Sequence, residues 1–320
     1  MRYVLMMVIC LGGSLPVFSW GFFAHRKINE YAVYLLPPEL LILYKPSMSY
    51  IREHATDADK RRYILKAEAP RHYIDLDHYG KYPFDSLPRS WDSAAMVFGA
   101  DSLQVHGILP WRIQQVYSGL IKAFREKNLP GILRLSSDLG HYIGDAHVPL
   151  HTSSNHNGQK TGQHGIHGFW ESRVPELLAD QEWDFFIGKA HYVENISDLT
   201  WRILLESAAA VDSVLDMEKA LSAALPPDSR YAYEWRSGQV VKQYAAGYSR
   251  TYNKVLRGMI ERRMRQAIQA VADCWYTAWV NAGQPDLRPL AKMLPSQPDS
   301  RLDSLAIFWR NRPAFGKSCN

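Results

Sequence analysis

Apolar side chains along this chain recur mainly every three to four positions, the spacing of one helix face, and seldom in strict alternation. That period predicts helices over 25–36, 112–127, 132–145, 169–179 and 199–217, and a long helical stretch from about 237 to 282. Helix-breaking residues punctuate it: Pro37 and Pro38 close the first segment, Asn128 to Pro130 separates the second from the third, and Pro149 stops the third. The Gly-, Ser- and Asn-rich stretch 153–168 reads as a loop between two helices. No strand–helix alternation, hairpin series or internal repeat stands out. Residues 283–320, with five prolines, predict an irregular tail over the surface. The expectation is an all-α chain with one helical domain over 20–282.

The first nineteen residues change the picture of compartment. They hold one Arg, an apolar run from Tyr3 to Leu11, then Gly, Ser and Pro, with Val17 and Ser19 at small-residue positions before Trp20. This is the layout of a cleaved secretory signal, and the run is short for a membrane span. A lipoprotein reading of Cys10 is disfavoured by Ile9 before it. The expected location is therefore exported, periplasmic or extracellular, with a mature chain starting at Trp20. Composition adds little beyond this. At 47% hydrophobic and 22% charged residues the chain can build a compact core, and the net charge of +5 suits phosphate-bearing ligands without demanding them. Cys274 and Cys319 allow at most one disulfide, and a buried free thiol at Cys274 is as consistent with its apolar surroundings.

Candidate chemistry lies in the histidines, seven of whose twelve fall between Gly140 and His191. His141 and Asp145 stand four apart, as do His167 and Glu171, so each pair projects from one helix face. His151 falls between them, just past Pro149. Such pairs chelate a borderline-soft divalent ion such as zinc, although a single i,i+4 pair is more often an ordinary salt bridge. Upstream stand His25, five residues after Trp20, then Asp57 and Asp59 in HATDADKRR, and His72, Asp75, Asp77 and His78 in EAPRHYIDLDHYG. A free N-terminal residue can chelate through its amine and carbonyl oxygen. These spacings leave the number of ions open.

In order and spacing the set resembles the superfamily of trinuclear-zinc hydrolases that joins bacterial zinc-dependent phospholipases C with single-strand-specific nucleases. The pattern is an N-terminal Trp, a nearby His, an Asp, a His, an HxxxD, a His and an HxxxD/E, running from Trp20 to Glu171 and covering about half the chain. The resemblance implies the helical phospholipase C/single-strand nuclease fold and three Zn2+ ions. It assigns Asp57, His72, His141 and Asp145 to one ion and His151, His167 and Glu171 to a second. The third takes Trp20, His25 and a bridging Asp145. Asp57 is preferred over Asp59 because relatives with an Asp-x-Asp pair use the first.

The resemblance further implies phosphodiester hydrolysis, with Asp57 hydrogen-bonded to the attacking water and Lys60 as a cation for the transition state. Lys60 equally fits a solvated lysine in the basic run 60–62. Tyr73 and Asp75 fall where both branches of the superfamily place substrate-contacting residues, so they do not separate lipid from nucleic acid. No basic–aromatic track, appended membrane-docking β-domain or paired-cysteine framework accompanies the motif. The expectation is a phospholipase C-like phosphoesterase acting on a phosphodiester substrate, with no protein partner implied. A single-strand nuclease or 3′-nucleotidase is the near alternative, and a non-catalytic zinc-binding protein is the alternative of another class.

Overall fold

A computed structural model describes residues 21–236, 238–293 and 315–317. The signal segment, Trp20, Cys10 and Cys319 lie outside the described residues. Among those described the protein is mostly helical. The helices in chain order are α1 (Phe22–Tyr34), α2 (Pro38–Tyr44), α3 (Met48–Glu53), α4 (Asp57–Arg61), α5 (Trp91–Phe98), α6 (Ala100–His106), α7 (Leu109–Arg125) and α8 (Leu129–Ala146). There follow α9 (Ile166–Gly168), α10 (Val174–Glu182), α11 (Ile196–Ala224), α12 (Ala246–Val255), α13 (Met259–Asn281) and the single turn α14 (Arg288–Ala291). No described helix is long and apolar enough to cross a membrane.

Helix α8 is the axis of the molecule. Asn128 caps it by accepting a hydrogen bond from the Gly131 amide (3.0 Å), and Pro130 sits in the first turn, where its missing N–H costs nothing. From Ser136 to Ala146 every residue is buried, so this half is surrounded on all sides. α1, α7 and α13 pack around it. Trp275 of α13 donates its indole N–H to the Ser136 carbonyl (3.1 Å), and Tyr44 pairs with the Ser136 hydroxyl (2.7 Å). Gly140 and Gly144, one turn apart, make the groove that receives α1. A Cβ on Gly140 would lie 1.9 Å from Asn29 Oδ1, and one on Gly144 would lie 3.1 Å from His25 Nδ1. The close approach of the two helices rests on these bare positions.

Two expectations need correction. The stretch 237–282 is not one helix. An antiparallel hairpin, β1 (Tyr231–Arg236) and β2 (Gln239–Tyr244), comes first, turning at Gly238 with φ +85°, and α12 follows. Arg257 and Gly258, both at positive φ, then separate α12 from α13. Alternation in YAYEWR marks the first strand, and the left-handed Arg257 and Gly258 stop α12. The tail is also more ordered than expected at two points. Leu287 and Leu290 around α14 are buried, and residues 315–317 return to the body of the protein.

Candidate metal centre

Three histidine–carboxylate groups meet beside α8, each with its ligand atoms within 4.8 Å of one another: His25, His141 and Asp145; Asp59, His72 and His141; and His151, His167 and Glu171. All are buried. His141 belongs to two of the groups. Asp145 lies 3.4 Å from His25, 3.3 Å from His141, 3.0 Å from His72 and 4.0 Å from His151, so it ties the groups together. In the third group His167 and His151 lie 3.0 and 3.4 Å from the same Glu171 oxygen.

Local structure explains the gathering. The i,i+4 spacing on α8 aims His141 and Asp145 together, and the Gly140/Gly144 groove stacks His25 on His141 with ring centroids 3.9 Å apart. His167 lies on α9, directly followed by a π-helical turn, Phe169–Arg173, that carries Glu171. Single π turns inside α-helices often sit at functional sites. The loop before it is held by Asn157, whose side-chain oxygen accepts from the amides of Gly165 (3.0 Å) and His167 (3.4 Å).

The imidazoles are oriented by carbonyls. Nδ1 of His141 faces the Ala55 carbonyl (2.8 Å), Nδ1 of His167 faces the His156 carbonyl (3.0 Å), and Nδ1 of His151 faces the His72 carbonyl. A carbonyl only accepts, so each Nδ1 carries the proton and each Nε2 lone pair is turned toward the carboxylates. This is how proteins present neutral histidine to a metal. Behind His72, Glu68 is held by Arg61, Arg71 and Tyr142, and Arg61 also reaches Asp138 (3.0 Å). Burial pushes the Glu68 carboxyl up, but Arg61, His72 and Tyr142 bring it down to about 2.

The donor set fits metal ions. Buried polar atoms in proteins are nearly always hydrogen-bonded, yet both oxygens of Asp59, both of Glu171 and Oδ1 of Asp145 accept no hydrogen bond here. Their spacing from the imidazole nitrogens, mostly 3.0 to 3.8 Å, matches what two ligands of one tetrahedral zinc would keep. Zinc–ligand bonds of about 2.0–2.1 Å put neighbouring ligands about 3.3 Å apart. The electrostatics agree. Burial opposes charge on His141, but Asp145 and Asp59 push it up to about 9, and His141, His151 and His25 hold Asp145 well below the usual carboxylate range despite burial. Burial pushes His25 and His72 below the usual imidazole value, which keeps these two rings neutral and able to act as ligands.

The predicted residues separate clearly. His25, His72, His141, Asp145, His151, His167 and Glu171 are brought together. Asp59, not Asp57, is the acid set beside His72 (3.6 Å) and His141 (3.8 Å). Asp57 turns instead to His54 (2.5 Å) and Lys60 (3.1 Å), so Asp57 and Lys60 pair with each other outside the three groups. Trp20 lies outside the described residues. Its neighbour Gly21 donates its amide to Ser172 Oγ (2.8 Å), next in sequence to Glu171.

Tyr73 stands at the mouth of the centre, in a small cavity floored by His72, His151 and His167 and rimmed by Arg62 and Lys317. Beside it the Lys317 ammonium sits 4.1 Å from the Tyr73 ring centre and pairs with the Asp75 carboxylate. Sequence reading missed Lys317, Arg62 and the two glycines of α8. None of the four carries a motif, and only their places in the fold reveal them.

Compared with models of known protein families and with characterised proteins, the chain matches none.

Proposed function

We propose that the protein is an exported, zinc-dependent phosphoesterase that hydrolyses phosphodiester bonds in the manner of a phospholipase C. The observation that carries this reading is the sharing of His141 and Asp145 among neighbouring groups of buried, incompletely bonded ligands. Histidine-rich groups with carboxylates suit zinc over calcium or magnesium. Asp59, His72 and His141 would hold one ion, and His151, His167 and Glu171 a second. His25 and Asp145 would hold a third with the amine and carbonyl of Trp20. Bound zinc would supply Lewis acidity toward phosphoryl oxygens and lower the pKa of a coordinated water.

The chain's own residues would do the rest. Asp145, lying near four of the histidines, fixes the groups relative to one another. The carbonyls of Ala55, His72 and His156 hold the imidazole tautomers. Arg62, paired with Asp59 (3.7 Å) and donating to the Lys317 carbonyl (2.9 Å), would add positive potential to the cavity it lines. A single observation favours a lipid head group over a nucleobase: the Tyr73 face and the Asp75 carboxylate already hold a primary ammonium, that of Lys317. An aromatic face with a carboxylate suits choline or ethanolamine. In the nuclease or 3′-nucleotidase reading the same ring would stack on a base.

The test is turnover by the mature chain on phosphatidylcholine, phosphatidylethanolamine, single-stranded DNA, RNA and 3′-AMP, with metal counted on the same sample. Three zincs with diacylglycerol release is the expected result. Nucleotide release would move the protein to the nuclease reading, and bound zinc with no turnover would leave a metal-binding protein.

A further inference from the structure

The β-hairpin carries chemistry that the metal centre does not use. Its register pairs Tyr233 with Lys242 and Trp235 with Val240, so these four share one face. Tyr233 is 75% exposed, Trp235 72% and Val240 58%. The hairpin is held along its length. At the base Tyr244 stacks on Phe169 at 3.8 Å and Arg173 donates to the Tyr244 carbonyl (3.0 Å) and pairs with Glu234, and beside the turn Arg236 pairs with Glu176 (2.7 Å). The face of Tyr233, Trp235 and Val240 is left toward solvent.

Charge points the same way. Of the six basic side chains in residues 226–258, Arg230, Arg236 and Arg250 pair with Glu218, Glu176 and Glu182, leaving Lys242, Lys254 and Arg257 as the basic groups of this stretch outside those pairs. Lys242 lies 4.2 Å from the Tyr231 ring centre, among the aromatics. Trp and Tyr favour the boundary between hydrocarbon and head groups, while Lys and Arg favour anionic lipid. Two exposed aromatics and an aliphatic side chain beside a lysine on one open face are the combination that suits such a boundary.

We propose that this hairpin docks the protein onto an anionic lipid surface, with Tyr233, Trp235 and Val240 entering the interface and Lys242 on the same face meeting the head groups. The association is peripheral and reversible. The docked stem rests on Phe169, two residues before Glu171. The proposal stands apart from the phosphoesterase reading, because binding is scored without turnover.

The test is co-sedimentation of the purified chain with vesicles of phosphatidylcholine alone and of phosphatidylcholine mixed with phosphatidylglycerol. Binding to the mixed vesicles is expected, weakened by added salt and reduced roughly tenfold by Lys242→Glu. The double change Tyr233→Ser with Trp235→Ser should abolish it while the circular dichroism stays unchanged. Trp235→Phe, which keeps the fold, should remove most of the tryptophan quenching by brominated lipid. The proposal is overturned by absence of binding, by equal binding to neutral vesicles, by full binding of Lys242→Glu or of the double change, or by unchanged quenching in Trp235→Phe. It is equally overturned if the double change instead dissolves a dimer in sedimentation velocity, which would assign the face to a second copy.

Discussion

Two glutamates, Glu171 and Glu218, are each fully buried, and they are treated in opposite ways. Glu218 has both oxygens occupied. Tyr248 donates to one (2.8 Å), Arg230 pairs with that same oxygen (2.8 Å), and Gln163 donates to the other (2.6 Å). Neither oxygen of Glu171 accepts a hydrogen bond, although two imidazoles stand within 3.4 Å. Burying an ionised carboxylate costs several kcal/mol unless its lone pairs are satisfied. Glu218 is therefore a finished structural knot, whereas Glu171 is arranged for a partner that the chain does not itself supply. Burial and residue type are the same in both, and only the completeness of the bonding separates structure from site.

The strongest way to break this comparison is at the residue that touches the most ligands. Asp145→Ala is expected to lose more than one equivalent of zinc and to bring turnover down to the rate in buffer. Metal analysis showing full zinc would remove Asp145 from the centre. Next comes the finished knot. Glu218→Gln removes the charge that pairs with Arg230 and sets an amide nitrogen against the Gln163 donor, and is expected to cost about 3 kcal/mol in chemical denaturation. Its zinc content should be unchanged, and a fall in zinc would erase the contrast with Glu171.

A narrower cut separates the two aspartates of α4. Asp59→Asn should lose about one zinc, and Asp57→Asn should retain all of it. The reverse result would restore Asp57 as the ligand.

The smallest effect expected is on acid stability. Glu68 titrates near 4.5 when unfolded and about 2 when folded, so the unfolded chain binds its proton first as pH falls. The stability this gives is present above pH 4.5 and is lost progressively toward pH 2. Glu68→Gln should flatten denaturation midpoints across that window, and an unchanged slope would mean that Arg61 and Arg71 do not hold the carboxylate.

How much was legible in sequence follows from which physics is local. The His141/Asp145 and His167/Glu171 pairs are set by helical period, and the structure places all four in the centre. The choice between Asp57 and Asp59 is not local. Two residues apart on a helix they project to opposite sides, and the decision falls to how the short α4 lies against α8. The hairpin is not legible in sequence because the helical stretch read from 237 takes in QVVKQY, which does not alternate, and the alternation of YAYEWR alone is only six residues long. Likewise nothing in LGHYIG announces that its glycines admit another helix. That appears only when Asn29 and His25 fill the groove.

The gathering of candidate ligands from distant segments also bears on when the candidate centre can form. His72 meets Asp145 across 73 residues of chain, and His141 meets the Ala55 carbonyl across 86. Contacts so remote in sequence form late, because closing long loops must precede them. His151, His167 and Glu171 lie close in sequence, but the groups built on His25, Asp59, His72, His141 and Asp145 need these distant segments brought together. Metal uptake by this protein would thus serve as a clock for the completion of folding.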